Sequence, residues 1–384
     1  MAESDDDMLA RLSRKSDAAA SSSAASSSFS SSSSSSSGAA LSARAAAVYD
    51  RSIRVYGVET QQALSASRVL VAGLASGMGA EAAKNLMLAG MSVTLADARP
   101  AQGRHLASNF LLSAAELAAA AAAASPPPSL AAASLARLAE LNPLAEARAA
   151  PLRALDMADE ELCAFRCAVL CDLAPAEALA LAERLHALRV PAFVLESFGL
   201  TAFLFADLGA RHAFAVQRSQ EGAGGVRAVV TEARELAFPS LRAALRGSWA
   251  ALKPATTAPA VYAWAALHLA AAAAAVAEEE GRRGAGGGAP ASAAAEGAAA
   301  AAAAARHCAA HGLSAEAFPG AAEGACAQLA AARGHALAPI CAVVGGLLGQ
   351  EVVKLVSARD EPVHNLLCFD SAGLGAVTCA VGCA

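Results

Sequence analysis

Aromatic residues are scarce in this chain: 2 Trp, 3 Tyr and 11 Phe make up 4% of 384 residues, so its core must rest on Leu, Val and Ile. The hydrophobic share of 56% overstates that core, because alanine inflates it and a methyl group contributes little burial. Excess positive charge is also missing. The formal net charge is -5, which leaves no basic footprint for a nucleic-acid groove. Nine cysteines are present without one C-x-x-C pair, and the N-terminus has no apolar stretch of the kind a secretory signal requires. Reduced thiols in a nuclear or cytosolic compartment are expected. The apolar run from Pro339 to Val356 contains Gln350, Glu351 and Lys354. A bilayer would have to bury the two charges at about 2.5 to 3.5 kcal/mol each, so no transmembrane segment is expected there.

What is present divides the chain. At about 100 to 200 residues per domain its length allows two or three domains, and long serine and alanine tracts reduce that to one main domain and a smaller one. Residues 1–46 are acidic and then serine-dominated, with nothing to offset the entropy of ordering, and are expected to form a disordered tail. Residues 117–129 and 273–305 are alanine-rich, with Ser-Pro-Pro-Pro-Ser in one and Gly-Ala-Gly-Gly-Gly in the other. They are expected to be surface insertions that bury little. Between them, strands are predicted over 68–72, 92–97, 167–173, 192–198 and 201–208, and helices over 80–89, 130–141 and 176–188. Strands alternating with helices imply an α/β fold with a parallel sheet and right-handed crossovers. The pair Gly199-Leu200 signals a hairpin into an antiparallel extension.

Three motifs carry chemistry. Tyr49-Asp-Arg51-Ser-Ile-Arg54-Val-Tyr-Gly57 forms an arginine-bearing arm. After the first strand come Gly73, Gly77 and Gly79, ahead of a helix through Lys84-Asn85, and Asp97 ends the second strand. Glycines at a strand-to-helix turn let backbone amides approach phosphate, and an acid at the second strand end suits ribose hydroxyls. The spacing Gly73-x-x-x-Gly77-x-Gly79 departs from G-x-G-x-x-G, and the same glycines would serve tight helix–strand packing equally well. The third motif is the helix Ala338-Pro-Ile-Cys-Ala-Val-Val-Gly-Gly-Leu-Leu-Gly-Gln-Glu-Val-Val-Lys354, apolar on nearly all sides, as helices in a core or a subunit interface are. Cys163, Cys167 and Cys171 are spaced by four, but the last two sit in an apolar strand and are expected to pack rather than bind metal. Cys308, between His307 and His311, is expected on a solvated helix. No metal site is expected.

The arm, the segment GMGAEAAKNLMLAG from Gly77 to Gly90, and the C-terminal helix together resemble the ThiF/MoeB-type adenylating fold. Within it they are most similar to the regulatory, non-cysteine subunit of heterodimeric SUMO-activating enzymes. The likeness spans roughly residues 48–272 and 333–382. It implies a Rossmann-like core over 47–209, a mostly helical insertion over 210–335 and a return to the core fold over 336–384.

The resemblance also implies an incomplete site. Active members carry an Asn-x-x-Arg-Gln-Phe-like segment, where this chain reads Ser108-Asn109-Phe110 with no arginine in that register. Leu130 stands at the phosphate-binding lysine, and Ala174-Pro175 at the magnesium-binding Asp-Asn, with Asp172 two residues away. Cofactor binding by Gly73, Gly77, Gly79 and Asp97 is therefore expected to be vestigial, with ATP and Mg2+ bound mainly by a partner. Loss of cations and metal removes the groups that neutralise charge developing on phosphate oxygens. Arg51 is the residue implied to act, reaching in trans into the partner's ATP site; a salt bridge with Asp50 or with an acid of the partner is the structural alternative. Arg54 is expected to be an interface or structural residue. The implied partners are a catalytic cysteine-bearing subunit and SUMO or another ubiquitin-like modifier, in the nucleus or alternatively the cytoplasm, with neither nucleic acid nor membrane involved. Left open are a regulatory subunit for a different modifier, a nucleotide-binding dehydrogenase for which no acid/base constellation is found, and a Rossmann-like scaffold without a catalytic role.

Overall fold

The computed structural model describes residues 41–123, 126–221, 227–253, 256–279, 292–371, 373 and 375–383. The greater part of the serine-rich tail, residues 1–40, lies outside the described residues. Its last stretch differs from expectation. Helix α1 (Ala43–Val48) is capped by Ser42 and buries Ala45 and Ala46 beside Tyr49 and Ile53, so the packed chain begins before residue 47. The two methyl groups pack in one cluster with the arm, and Leu144 lies against it.

The arm continues as α2 (Asp50–Tyr56) and α3 (Val58–Ala66). Then follow β1 (Arg68–Ala72), α4 (Gly77–Leu88), β2 (Ser92–Ala96), α5 (Ala114–Ala122), α6 (Leu130–Leu141), β3 (Ala147–Ala150), the single turn α7 (Asp159–Leu162), β4 (Cys167–Cys171), α8 (Pro175–Ala187), β5 (Ala192–Phe198) and β6 (Thr201–Asp207). The strands β3, β2, β1, β4 and β5 pair in parallel in that order. Beyond β5 the sheet turns antiparallel through β6, β9 (Leu366–Asp370) and β10 (Gly375–Cys379). The five strands expected from apolar runs are all present. Gly199, at φ 63°, makes the turn that pairs Phe198 with Thr201, as the hairpin signal predicts. β3, with the sequence Ala-Arg-Ala-Ala, has no apolar bulk and gave no signal.

The sheet is buried on both faces because successive strand residues point oppositely. Val69, Val71, Phe193 and Leu195 face α4, α6 and the long helix α13 (Ala338–Ser357). Leu70, Ala72, Ala192 and Val194 face the other layer. That layer is α8 together with α9 (Leu241–Arg246), α10 (Pro259–Glu279), α11 (Ala293–Ala310) and α12 (Glu323–Ala332). α9 to α12 follow a separate hairpin, β7 (His212–Glu221) and β8 (Arg227–Leu236).

The few aromatics are concentrated in this second layer. Trp264 stacks on Phe203 at 5.5 Å between ring centroids, and Trp249, Tyr262 and Phe318 form a second group. Trp264 Nε1 and His268 Nε2 both meet Glu196 Oε2, at 2.5 and 2.7 Å, clasping α10 to β5.

The first alanine tract buries no residue in α5, as expected, but the second differs from expectation. Residues 280–291 lie outside the described residues, but α11 packs tightly: Ala300, Ala303, Ala304 and Cys308 are buried. A Cβ on Gly297 would lie 2.6 Å from that of Ala327 on α12. Small residues bury little area each, yet they let helix axes approach closely, and that proximity makes the tract part of the core. α10 and α13 are long and apolar enough to cross a membrane, but each packs against the sheet as a core helix, with 44% and 50% of its most apolar window buried.

Candidate functional site

The glycine turn lies at the C-terminal ends of β1, β2 and β4, where open α/β sheets hold ligands. Here the glycines meet protein. Gly73 has φ 91°, and a Cβ there would stand 1.9 Å from the Cys171 carbonyl oxygen. One on Gly79 would stand 2.0 Å from the Gly73 oxygen, and one on Gly77 2.8 Å from the Ser108 oxygen. Each glycine is required for close backbone packing. The Ser108 carbonyl, rather than an open approach for phosphate, faces Gly77.

Asp97 is likewise engaged. It is buried, and its carboxylate accepts from the Leu74 amide at 2.7 Å and from Arg99 through Nε at 2.9 Å and Nη2 at 2.6 Å. The guanidinium of Arg99 stands between two spaces. On one side, bounded also by Arg153, Leu173 and Glu177, the crevice between β1 and β2 retains only about 30 Å³. Asp172, the nearest acid to the expected metal position, has φ 45° and turns inward, accepting from Ser76 Oγ, from the Ser197 amide at 2.6 Å and from Ser197 Oγ at 2.7 Å. Burial pushes its carboxyl up to about 6 despite these donors. Ser76 also caps α4, accepting from the Met78 amide at 3.2 Å. Leu130 is fully buried. A nucleotide with its metal does not fit these residues: the acid for ribose is bound to Arg99, the acid for metal is bound to serines, and the volume for a base and sugar is absent.

On the other side of Arg99 is an open cleft of about 630 Å³, between the turn carrying Arg104 and His105 and the segment Gly334–Leu337 that leads into α13. Among the described residues its lining has two arginines and two histidines and no acid. Sequence reasoning missed Arg104 because the family's arginine register falls four residues later, at Ser108. The unbalanced Arg-x-x-x-x-Arg-His run from Arg99 to His105 was the available signal.

Arg51 is exposed on α2 and has no hydrogen bond or ion pair with any described residue. The alternative bridge to Asp50 is not formed, since Asp50 binds Arg54 at 2.9 Å. α13 buries one side against α4, where a Cβ on Gly345 would lie 2.8 Å from that of Glu81. Its other side is apolar and uncovered: Val343 is 44% exposed, and a Cβ on Gly346 would meet nothing within 4 Å.

Cys167 and Cys171 are buried in β4, where burial pushes the Cys167 thiol up to about 12, so both pack as expected. Cys308 corrects the expectation of a solvated helix: it lies in the core between α11 and its neighbours. His307 beside it packs against Trp249 with tilted rings, 4.8 Å between centroids.

No protein-family model matches the chain. It is similar to SUMO-activating enzyme subunit 1 of Xenopus tropicalis, with 27% identity over 371 residues covering 89% of this chain and 97% of the relative. For the subunit 1 of Danio rerio the figures are 29% over 350 residues, 86% and 93%; for that of Homo sapiens, 28% over 360 residues, 88% and 96%. The resemblance carried by the arm, the glycine turn and the C-terminal helix therefore extends along nearly the whole chain.

Proposed function

We propose that this chain, similar to SUMO-activating enzyme subunit 1 along nearly its whole length, is the regulatory subunit of a heterodimeric SUMO-activating enzyme. The observation that carries the reading is the closed crevice: Asp97 held by Arg99, with about 30 Å³ left behind it. A chain built in this way needs a second subunit to hold ATP and Mg2+, together with the cysteine that accepts the modifier. ATP supplies the adenylyl group to the modifier's C-terminal carboxylate. This chain contributes Arg51, whose planar fork suits phosphate oxygens and which no described residue neutralises. The uncovered apolar side of α13, with Gly346 at its centre, supports a subunit contact there. Residence in the nucleus, with the cytoplasm as alternative, is part of the same proposal.

Pyrophosphate exchange tests it, with purified chain alone, with a cysteine-bearing candidate subunit, and with SUMO. Exchange is expected only when both subunits are present. Robust exchange by this chain alone would overturn the reading, and exchange by the pair with a different ubiquitin-like modifier but not SUMO would change the assigned substrate.

A further inference from the structure

Helix α11 ends in a pair of histidines, His307 within its last turn and His311 at its C-cap. They are one turn apart and so share a face of the helix, with 4.6 Å between ring centroids and the rings tilted by 55°. Both rings donate to the same short backbone segment. His311 Nε2 lies 3.0 Å from the Arg246 carbonyl oxygen, so in the neutral ring that nitrogen carries the proton and Nδ1 the lone pair. For His307 the acceptor is the Gly247 carbonyl. Its Nε2 is buried without a hydrogen-bond partner, so the donating nitrogen is Nδ1 and the lone pair is on Nε2. Burial, then the charge of His311, hold His307 below its ordinary value despite the Gly247 carbonyl, which keeps the ring neutral.

Two fixed tautomers therefore leave two unshared lone pairs on one face of a helix end. Histidines that bind metal characteristically donate the other ring N–H to a carbonyl or carboxylate, which orients the ring and makes the ligating nitrogen more basic. An ion bonded at about 2.0 to 2.1 Å to one nitrogen of each ring lies ~3.2 Å from each ring centre, so a separation of 4.6 Å corresponds to an angle at the ion of roughly 90°. That is the angle between adjacent ligands of a tetragonal ion. Cys308, between the two histidines in sequence, is buried in the core and adds no thiolate. Among the described residues no three His, Cys, Asp or Glu side chains converge, so a closed zinc site or an oxygen cage for Ca2+ is not built here.

We propose that His307 and His311 chelate a divalent late first-row transition ion, Cu2+ ahead of Ni2+ and Zn2+, with solvent completing the coordination. Imidazole nitrogens suit these ions, and affinity for a given nitrogen site peaks at copper. Trp249 is fully buried and packs 4.8 Å from the His307 ring, which makes it a reporter within reach of the ion. The pair belongs to the helical layer across the sheet from α4 and α13, so it is independent of the closed crevice and of the uncovered side of α13.

The test is titration of the full-length chain, free of any histidine tag, with Cu2+, Ni2+, Zn2+ and Mg2+ as chloride salts, followed by tryptophan fluorescence and, for Cu2+, by electron paramagnetic resonance. One Cu2+ per chain is expected to bind and quench Trp249, with two nitrogens coupled to the copper signal. Zn2+ should compete for the same position without quenching, and Mg2+ should do neither. His311→Ala should weaken Cu2+ binding about tenfold or more and leave one coupled nitrogen. His311 is exposed, so this variant keeps its fold, and circular dichroism checks that. His307→Ala should give the same loss, and adding it to His311→Ala should abolish both the quenching and the nitrogen coupling. The exposed His335, outside the pair, is the control, and His335→Ala should change nothing. Absence of Cu2+ binding, a copper signal without nitrogen coupling, binding untouched by His311→Ala, or equal losses in His335→Ala and His311→Ala would overturn the proposal.

Discussion

Glu196 on β5 and His268 on α10 meet 2.7 Å apart with both side chains almost wholly inside the protein, and Trp264 adds a second donor to the same carboxylate oxygen. Burial alone would raise the Glu196 carboxyl; the His268 charge and hydrogen bond, Trp264 and Arg333 outweigh it and hold the group below its ordinary value. Glu196→Ala strands two buried donors, and a loss of about 3 to 5 kcal/mol is expected from urea unfolding. The sign with pH follows. A lowered carboxyl contributes stability that is present above its unfolded value and is lost as pH falls through the folded one, so the difference between wild type and variant should shrink in acid.

Asp172 has the opposite slope. Its folded value, about 6, lies above the ordinary 3.8, so its contribution is fully present below the ordinary value and lost as pH rises through about 6. Asp172→Asn is permanently neutral, and the two serine hydroxyls can turn to accept from its amide. Between pH 4 and pH 7 the variant should gain on wild type by about 2 kcal/mol, read from urea midpoints across that range. Parallel curves would show that the carboxylate is not the titrating group.

The glycines on the two sides of the fold should behave in opposite ways. Gly79→Ala drives a methyl group to 2.0 Å from the Gly73 oxygen and should cost more than about 4 kcal/mol, seen as loss of soluble protein. Gly346→Ala meets nothing and should raise the stability of the isolated chain by about 0.5 to 1 kcal/mol. Gly346→Trp should leave the isolated chain folded but weaken its association with the partner on gel filtration.

Close helix contact in the alanine-rich layer predicts a cost for one added side chain. Gly297→Val pushes α11 from α12 and should cost roughly 1 to 3 kcal/mol in thermal unfolding. Ala305→Val, on the exposed side of the same helix, should cost less than about 1 kcal/mol. Equal effects would mean that the tract is not packed.

For Arg51, the expected outcome of Arg51→Ala is an intact heterodimer with adenylation slowed by the equivalent of roughly 2 to 4 kcal/mol, and only partial recovery in Arg51→Lys. Since Asp50 is bound by Arg54, the substitution removes no bridge in the arm. An unchanged rate in a complex of normal size would leave the arm a structural role alone.

The parallel half of the sheet was legible because its strands are apolar runs set off by helices: Cys167–Cys171 and Ala192–Phe198 leave little choice. β3 was not, since two of its alanines lie opposite Val93 and Leu95 with no pattern of their own. α11 was misread because apolar bulk was taken as the measure of burial, whereas Gly297 and Ala300 pack by being small. At the site, the sequence shows Ser108 and Leu130 as uncharged residues. It could not reveal that Arg99 folds back onto Asp97, because pairing across two residues depends on the local bend after β2. Nor could it show that Arg104 and His105 converge, since both are ordinary in a surface turn.

Behind Arg99 the crevice is shut by a side chain, whereas at Gly77 the backbone carbonyl of Ser108 closes the approach. Gly73 still turns, α4 still begins at the strand ends and Asp97 still receives the Leu74 amide. Occlusion behind Arg99 is therefore a local property that one substitution can remove. Shortening Arg99 would join the 30 Å³ remnant to the outer cleft and free one edge of the acid, leaving a vacancy shaped by a scaffold that has not moved.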